Sequence, residues 1–106
     1  MFTINVVKDF SKKPYGRYPN EGDCGQEFRQ RFLVPALNAH EKVHVVLDGY
    51  NRYGRSFLDE AFGGLIREEH FKWSDLKSRL SYSHSKVKSI ELLIEERLDA
   101  ARKACE

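Results

Sequence analysis

A chain of 106 residues, 41% of them hydrophobic and 32% charged, has the material for one folded domain, which excludes an intrinsically disordered protein. Its 18 basic and 16 acidic residues leave a net charge of +2, too weak a global field to argue for nucleic acid without a local patch. Cys24 and Cys105 form no CxxC and no closely spaced framework, and no run approaches the ~20 apolar residues of a membrane span, so a cytoplasmic protein with two free thiols is expected.

The first stretch, "FTINVV" at residues 2–7, alternates Phe2, Ile4 and Val6 with Thr3 and Asn5, the period of a strand with one buried face. It has no basic leader and reads as the first strand rather than as a targeting segment. Residues 9–22 carry Pro14, Gly16, Pro19, Asn20 and Gly22, turn chemistry that leaves room for at most a short edge strand over 15–18. Asp23 stands three residues before Gln26, the capping-box spacing, and predicts a helix start. Phe28, Phe32, Leu33, Ala36 and Leu37 supply that helix's apolar face, while Pro35 predicts a kink or a shortened last turn ending near Ala39. "KVHVVLD" at 42–48 is nearly continuous in Val43, Val45, Val46 and Leu47, which predicts a central strand covered on both faces.

Ser56, followed by Asp59 and Glu60, has the signal of an N-cap with acidic residues in the first turn. With the stripe Phe57, Leu58, Ala61, Phe62, Leu65 and Ile66 it predicts a helix over 56–69. Gly63 and Gly64 inside that helix cost ~1 kcal/mol each relative to alanine, so close packing against a strand or another helix is expected there. Residues 74–77 fit a short helical turn, and "RLSYS" at 79–83 fits one more strand. From Ser85 onward Val87, Ile90, Leu93, Ile94, Leu98, Ala101 and Ala104 mark a long amphipathic helix. Strands alternating with helices in this order describe an α/β layer with some parallel pairing.

The blocks "VVLDGYNRYGRSFLDEAFGGLIRE" (45–68) and "GRYPNEGDCGQEFRQRFLVPAL" (16–37) resemble the bacterial STAS-like domain family of unknown function, related in fold to sulfate transporter tails and anti-sigma-factor antagonists. The resemblance implies one STAS-like domain over residues 1–106, with a mixed sheet of about four strands and three main helices. In the antagonists a serine or threonine at the start of the helix after the central strand is phosphorylated by an ATPase related to histidine kinases, and Ser56 is the position that matches. The antagonist motif Asp-Ser-Ser-Gly-Leu is represented here by Gly54-Arg55-Ser56-Phe57-Leu58, with an arginine before the hydroxyl and a phenylalanine after it. Ser56 therefore has two readings, a plain helix cap and a phosphoacceptor.

If the central strands run parallel, the loop 49–55 and the segment 16–23 meet at one rim, where ligands of open α/β sheets sit. The candidate partner- or anion-binding residues are Arg17, Tyr18, Asp48, Arg52, Tyr53 and Arg55, around two helix starts. Asp48 also suits a turn-capping role. His40, His44, His70 and His84 fall on different elements without zinc spacing, so no metal is expected and these rings are expected at the surface or half-buried. No paired carboxylates or nucleophile-base set stands out, so neither catalysis nor a cofactor is expected. Phe71 and Trp73 are expected at the edge of the core. The function expected is a non-enzymatic, regulatory protein-interaction module. Two other readings of the rim are a nucleotide- or phosphate-binding domain and a nucleic-acid accessory protein.

Overall fold

The computed structural model describes residues 1–105. Three strands, β1 (Phe2–Asn5), β2 (Val43–Val46) and β3 (Leu80–Ser83), form one sheet in the order β1-β2-β3 with both pairings parallel. This replaces the expected mixed sheet of about four strands: the segment 15–18 forms no strand and instead leads into a single 3₁₀ turn at Pro19–Glu21. Its backbone is spent on the neighbouring loop, where Tyr15 N donates to the Asp23 carbonyl at 2.9 Å and the Gly16 carbonyl accepts from Gly25 N at 3.1 Å.

Parallel strands need crossovers, and right-handed crossovers that always step the same way place their helices on one face of the sheet. Here α1 covers residues 25–39, α2 residues 55–67, α3 Trp73–Arg79 and α4 Lys88–Cys105. The burial of β2 follows: Val43, Val45 and Leu47 are sealed, whereas His44 and Val46 on the other face are only half-buried. Cover on both faces is thus corrected to cover on one. The open face is polar, with the His44 ring held at 2.7 and 2.8 Å by the hydroxyls of Ser81 and Ser83.

Both edges of the sheet are blunted. After β1 the chain makes a π-helical turn at Val6–Phe10, ending the strand two residues earlier than its alternation suggested. Asn5 caps that turn by accepting from Lys8 N, while its own N–H donates to Asp9 at 2.7 Å instead of waiting for another strand. At the far edge the Leu80 N–H bonds back to Leu76 in α3, and His84 N donates to the Glu91 carboxylate in α4 at 3.0 Å. Carboxylates close one N–H on each edge.

The capping box of Asp23 and Gln26 does not form. Asp23 accepts from the Ser11 hydroxyl at 2.7 Å, Cys24 is the N-cap of α1, and the Gln26 amide goes to the Arg17 carbonyl. Pro35 does not break α1, because a π-helical turn at Arg29–Leu33 widens the helix just before it. α2 contains a matching wide turn at Asp59–Gly63, and three residues past its end His70 lies in the left-handed region, φ 63°. The two helices touch backbone to backbone at Gly25, where a Cβ would stand 2.5 Å from the Phe57 carbonyl oxygen. Phe28, Phe57 and Phe62 fill the space between these helices and the sheet, and Phe10 and Phe32 close one side. Phe71 and Trp73 are partly buried against this core, as expected of its edge.

The two glycines of α2 pack against neither a strand nor a helix backbone, as had been expected. Gly64 lies under the guanidinium of Arg29, and Gly63 under Arg67 and Asp59. Arg29 is only 3% exposed and forms ion pairs with Glu60 at 2.8 Å and Glu69 at 2.9 Å, and its Nη1 also donates to the Glu60 carbonyl. An alanine at Gly64 should displace the buried guanidinium and leave Glu60 without its deepest partner. The expected loss is roughly 3 kcal/mol or more, measured as a fall in the urea midpoint, since stranding half of a buried pair costs ~3–5 kcal/mol. An unchanged midpoint would show that Arg29 can relocate freely.

Candidate functional site

Because all three strands are parallel, the segments leaving their carboxyl ends gather at one rim. These are residues 6–15 after β1, 47–54 after β2 and 84–87 after β3. They are held to one another by specific contacts. Gly49 turns the chain after β2 with φ 102°, a conformation that favours glycine, and a Cβ there would meet the Val7 side chain at 3.3 Å. Tyr15, 60% exposed, stands about a van der Waals contact above Gly54, at the entrance to α2. Asp48 accepts from the Ser85 amide at 3.1 Å and from the Ser85 hydroxyl. The hydrogen bond from the Ser85 hydroxyl holds the Asp48 carboxyl below the usual aspartate range.

The rim does not hold all the residues expected of it. Arg17 belongs to a separate network on the helical side: its Nη1 donates to Asp59 at 2.8 Å and to Glu60 at 3.1 Å, and Arg67 and Arg97 also pair with Asp59. Tyr18, 48% exposed, lines the mouth of the cleft beside that network. Tyr53 is buried, and its hydroxyl donates to the Leu47 carbonyl at 2.9 Å; burial first, then the Asp48 charge, pushes it far above the usual tyrosine value. It supports the loop from inside. Asp48 and Arg52 do share a cleft of about 430 Å³, together with Gly49, Tyr50, Asn51, His84 and Lys86.

Ser56 is not the N-cap. That position is Gly54, with Leu58 N bonded to its carbonyl at 3.2 Å, so Arg55 and Ser56 are the first two residues inside α2. The Ser56 side chain is exposed, and its hydroxyl makes no hydrogen bond among the described residues. The chain segment 15–18 runs along the same helix start, with Tyr15 at Gly54 and Arg17 at Asp59 and Glu60, so Ser56 lies between the two along α2.

Charge is shared out unevenly. The segments of the rim carry Lys8, Lys12, Lys13, Arg52 and Lys86, with Arg55 opening α2, and none of these six forms an ion pair among the described residues. The only acids on the same segments, Asp9 and Asp48, are consumed by Asn5 and Ser85. On the helical side, by contrast, Arg17, Arg29, Arg67 and Arg97 are matched by Asp59, Glu60 and Glu69. A net charge of +2 hides a basic rim on an otherwise balanced body.

Two contributors could not be read from residue type. Tyr15 joins the rim only because residues 15–18 fold back over α2, and His84 joins it by burial. Its ring is 1% exposed and bonds to Tyr50, Lys86 and Val87, against the expectation of a surface or half-buried histidine. Cys24 is buried, which raises its thiol above the ordinary value, whereas Cys105 is exposed; both are free. No helix among the described residues is long and apolar enough to cross a membrane.

A family model described as "STAS-like domain of unknown function (DUF4325)" matches residues 24–89, more than half of the chain, from the start of α1 into the first turn of α4. No curated protein and no solved structure gives a match.

Asp59 carries the pH response of the helical network. Burial alone would raise its carboxyl, but hydrogen bonds from Arg17 and the charge of Arg67 outweigh that and hold it below the usual aspartate value. A depressed carboxyl stabilises the fold fully above the unfolded value, ~3.9, and that contribution is lost as the pH falls from there through the folded value. Urea midpoints measured across pH should therefore decline below about pH 4, and Asp59→Asn should flatten part of the decline. A variant with the parent's acid slope would place the coupling elsewhere.

Proposed function

The chain belongs to the STAS-like domain family of unknown function, and from that premise we propose that it is a non-enzymatic regulatory module that docks a protein partner on the basic rim at the carboxyl end of its sheet. The observation that carries this reading is that Lys12, Lys13, Arg52, Arg55 and Lys86, on or next to the segments that bear exposed Tyr15, form no ion pair among the described residues. Unpaired charge of one sign steers a complementary surface and rejects a like one, and an exposed aromatic ring supplies an anchor. The partner is therefore an acidic protein surface.

Ser56 supplies the switch in this reading. Its hydroxyl is exposed and free of any capping duty, which suits a phosphoacceptor for an ATPase related to histidine kinases. A phosphate there would add about −1.5 to −2 charges at a helix start, three and four residues ahead of Asp59 and Glu60. It would compete with those carboxylates for Arg17, whose Nε and Nη2 make no hydrogen bond among the described residues. Modification would then re-set residues 15–18 and cancel part of the rim's positive charge while leaving the core alone. The shared cleft of Asp48, Arg52 and Lys86 favours a second reading, a phosphate-bearing small ligand, which would raise Tm by mass action where a protein partner need not.

The test is affinity capture of the tagged protein from its native host, with mass spectrometry of the co-purified proteins and of the bait's Ser56 peptide. Arg52→Glu with Arg55→Glu should lower recovery of the specific partner by roughly tenfold or more, since like charges across an interface are strongly unfavourable. Ser56→Ala should abolish the modification. Identical partners on the charge-reversed bait would sink the docking surface, and undiminished phosphorylation of Ser56→Ala would sink the switch.

A further inference from the structure

We propose that His84 is a pH-sensitive fastener of the rim, holding the loops after β2 and β3 together while its ring is neutral and releasing them when it takes a proton. The argument is one of donors and acceptors. The ring lies just past the end of β3 and is almost completely buried, 1% exposed. Its Nδ1 is approached by two backbone donors, Lys86 N at 3.2 Å and Val87 N at 3.0 Å, so Nδ1 must be the acceptor. The proton therefore resides on Nε2, which donates to the Tyr50 carbonyl at 2.9 Å. One neutral tautomer satisfies all three groups, tying 50 on one loop to 86 and 87 on the other.

Protonation of Nδ1 removes that arrangement. An imidazolium has no acceptor, and its new N–H would point at two other N–H groups that now hold Nδ1. The loop 84–87 must then move away from the ring. That loop carries Lys86 into the cleft shared with Arg52 and places Ser85 on Asp48, so its release alters the basic rim and the start of α4 together.

The charged and titratable groups around His84 come from both loops and from α4. From the loop after β2 come Asp48, Tyr50 and Arg52, with Tyr53 beneath; from its own loop comes Lys86, and from α4 come Glu91 and Lys88. The Ser85 hydroxyl holds Asp48 below the ordinary carboxylate value, and the backbone N–H of His84 does the same for Glu91. Both carboxylates are held ionised to lower pH than ordinary carboxylates, so neither takes up a proton over the span tested below. The consequence for partner binding rests on the rim being the docking surface. The loosening itself does not.

The experiment is a pH titration of the isotopically labelled full chain from about 7.5 to 5, the span of histidine titration, following the amides of Lys86 and Val87 and the His84 ring nitrogens by NMR. The expected result is a ring protonated on Nε2 at neutral pH, with both amides moving along one curve whose midpoint matches the ring's. His84→Asn, whose side-chain oxygen can accept but cannot titrate, should leave both amides still over the same span. Amides that do not move in the parent chain, or a neutral ring protonated on Nδ1, overturn the proposal, and either is readable without the variant should it fail to fold. Unaltered partner capture at low pH despite moving amides would instead count against the docking surface.

Discussion

The rest of this fold is arranged around one buried guanidinium. Arg29 points from α1 into α2, where Glu60 neutralises it and Gly64 leaves it space, while Gly25 one turn earlier lets the two backbones touch. Each helix widens into a π-helical turn at this level, Arg29–Leu33 on one side and Asp59–Gly63 on the other. Removing charge from water is costly, so the pair is tolerated only with its other hydrogen-bonding groups satisfied, and Glu69 and the Glu60 carbonyl do this for Arg29. Such a pair contributes little over an apolar replacement of the same shape, yet losing either half is severe. What it secures is one way for α1 to lie on α2.

The same arrangement decides where charge is left over. Asp59 and Glu60 draw Arg17, Arg67 and Arg97 onto the helical side, while the cations of the strand-to-helix loops form no ion pair among the described residues. The carboxyl rim is basic because its three segments carry five cations and only two acids, with Arg55 beside them, rather than because the protein is basic. Tyr82, on the covered face of β3, belongs to the other side of this division. Burial and then Glu95 and Glu91 push its hydroxyl up to about 12.

Periodicity made the architecture legible: β2, α2 and α4 lie where their apolar residues place them, and the alternation of elements pointed to parallel strands. It failed where a polar side chain served two purposes. Asn5 reads as the outward residue of a strand but ends that strand by capping a turn, and Asp23 reads as a helix cap but is taken by Ser11. The continuous valines of β2 suggested two covered faces, but the strand order 1-2-3 covers only one, and strand order is not local information. At the rim the segments were correctly chosen, whereas the side chains depended on long-range partners. Arg17 was assigned by Asp59 forty-two residues away, and His84 was drawn in by Tyr50 across a loop. Histidine burial has no signature in a single sequence.

The blunted sheet edges have a consequence for how this domain can be recognised. With Asp9 on the Asn5 amide and Glu91 on the His84 amide, each flank has one fewer N–H to offer an incoming strand. A binder gains less there from the peptide backbone, which is the same in every polypeptide, and more from side chains. Selectivity therefore comes with the architecture, and copies of the domain tethered side by side would stay discrete instead of zippering into a continuous sheet.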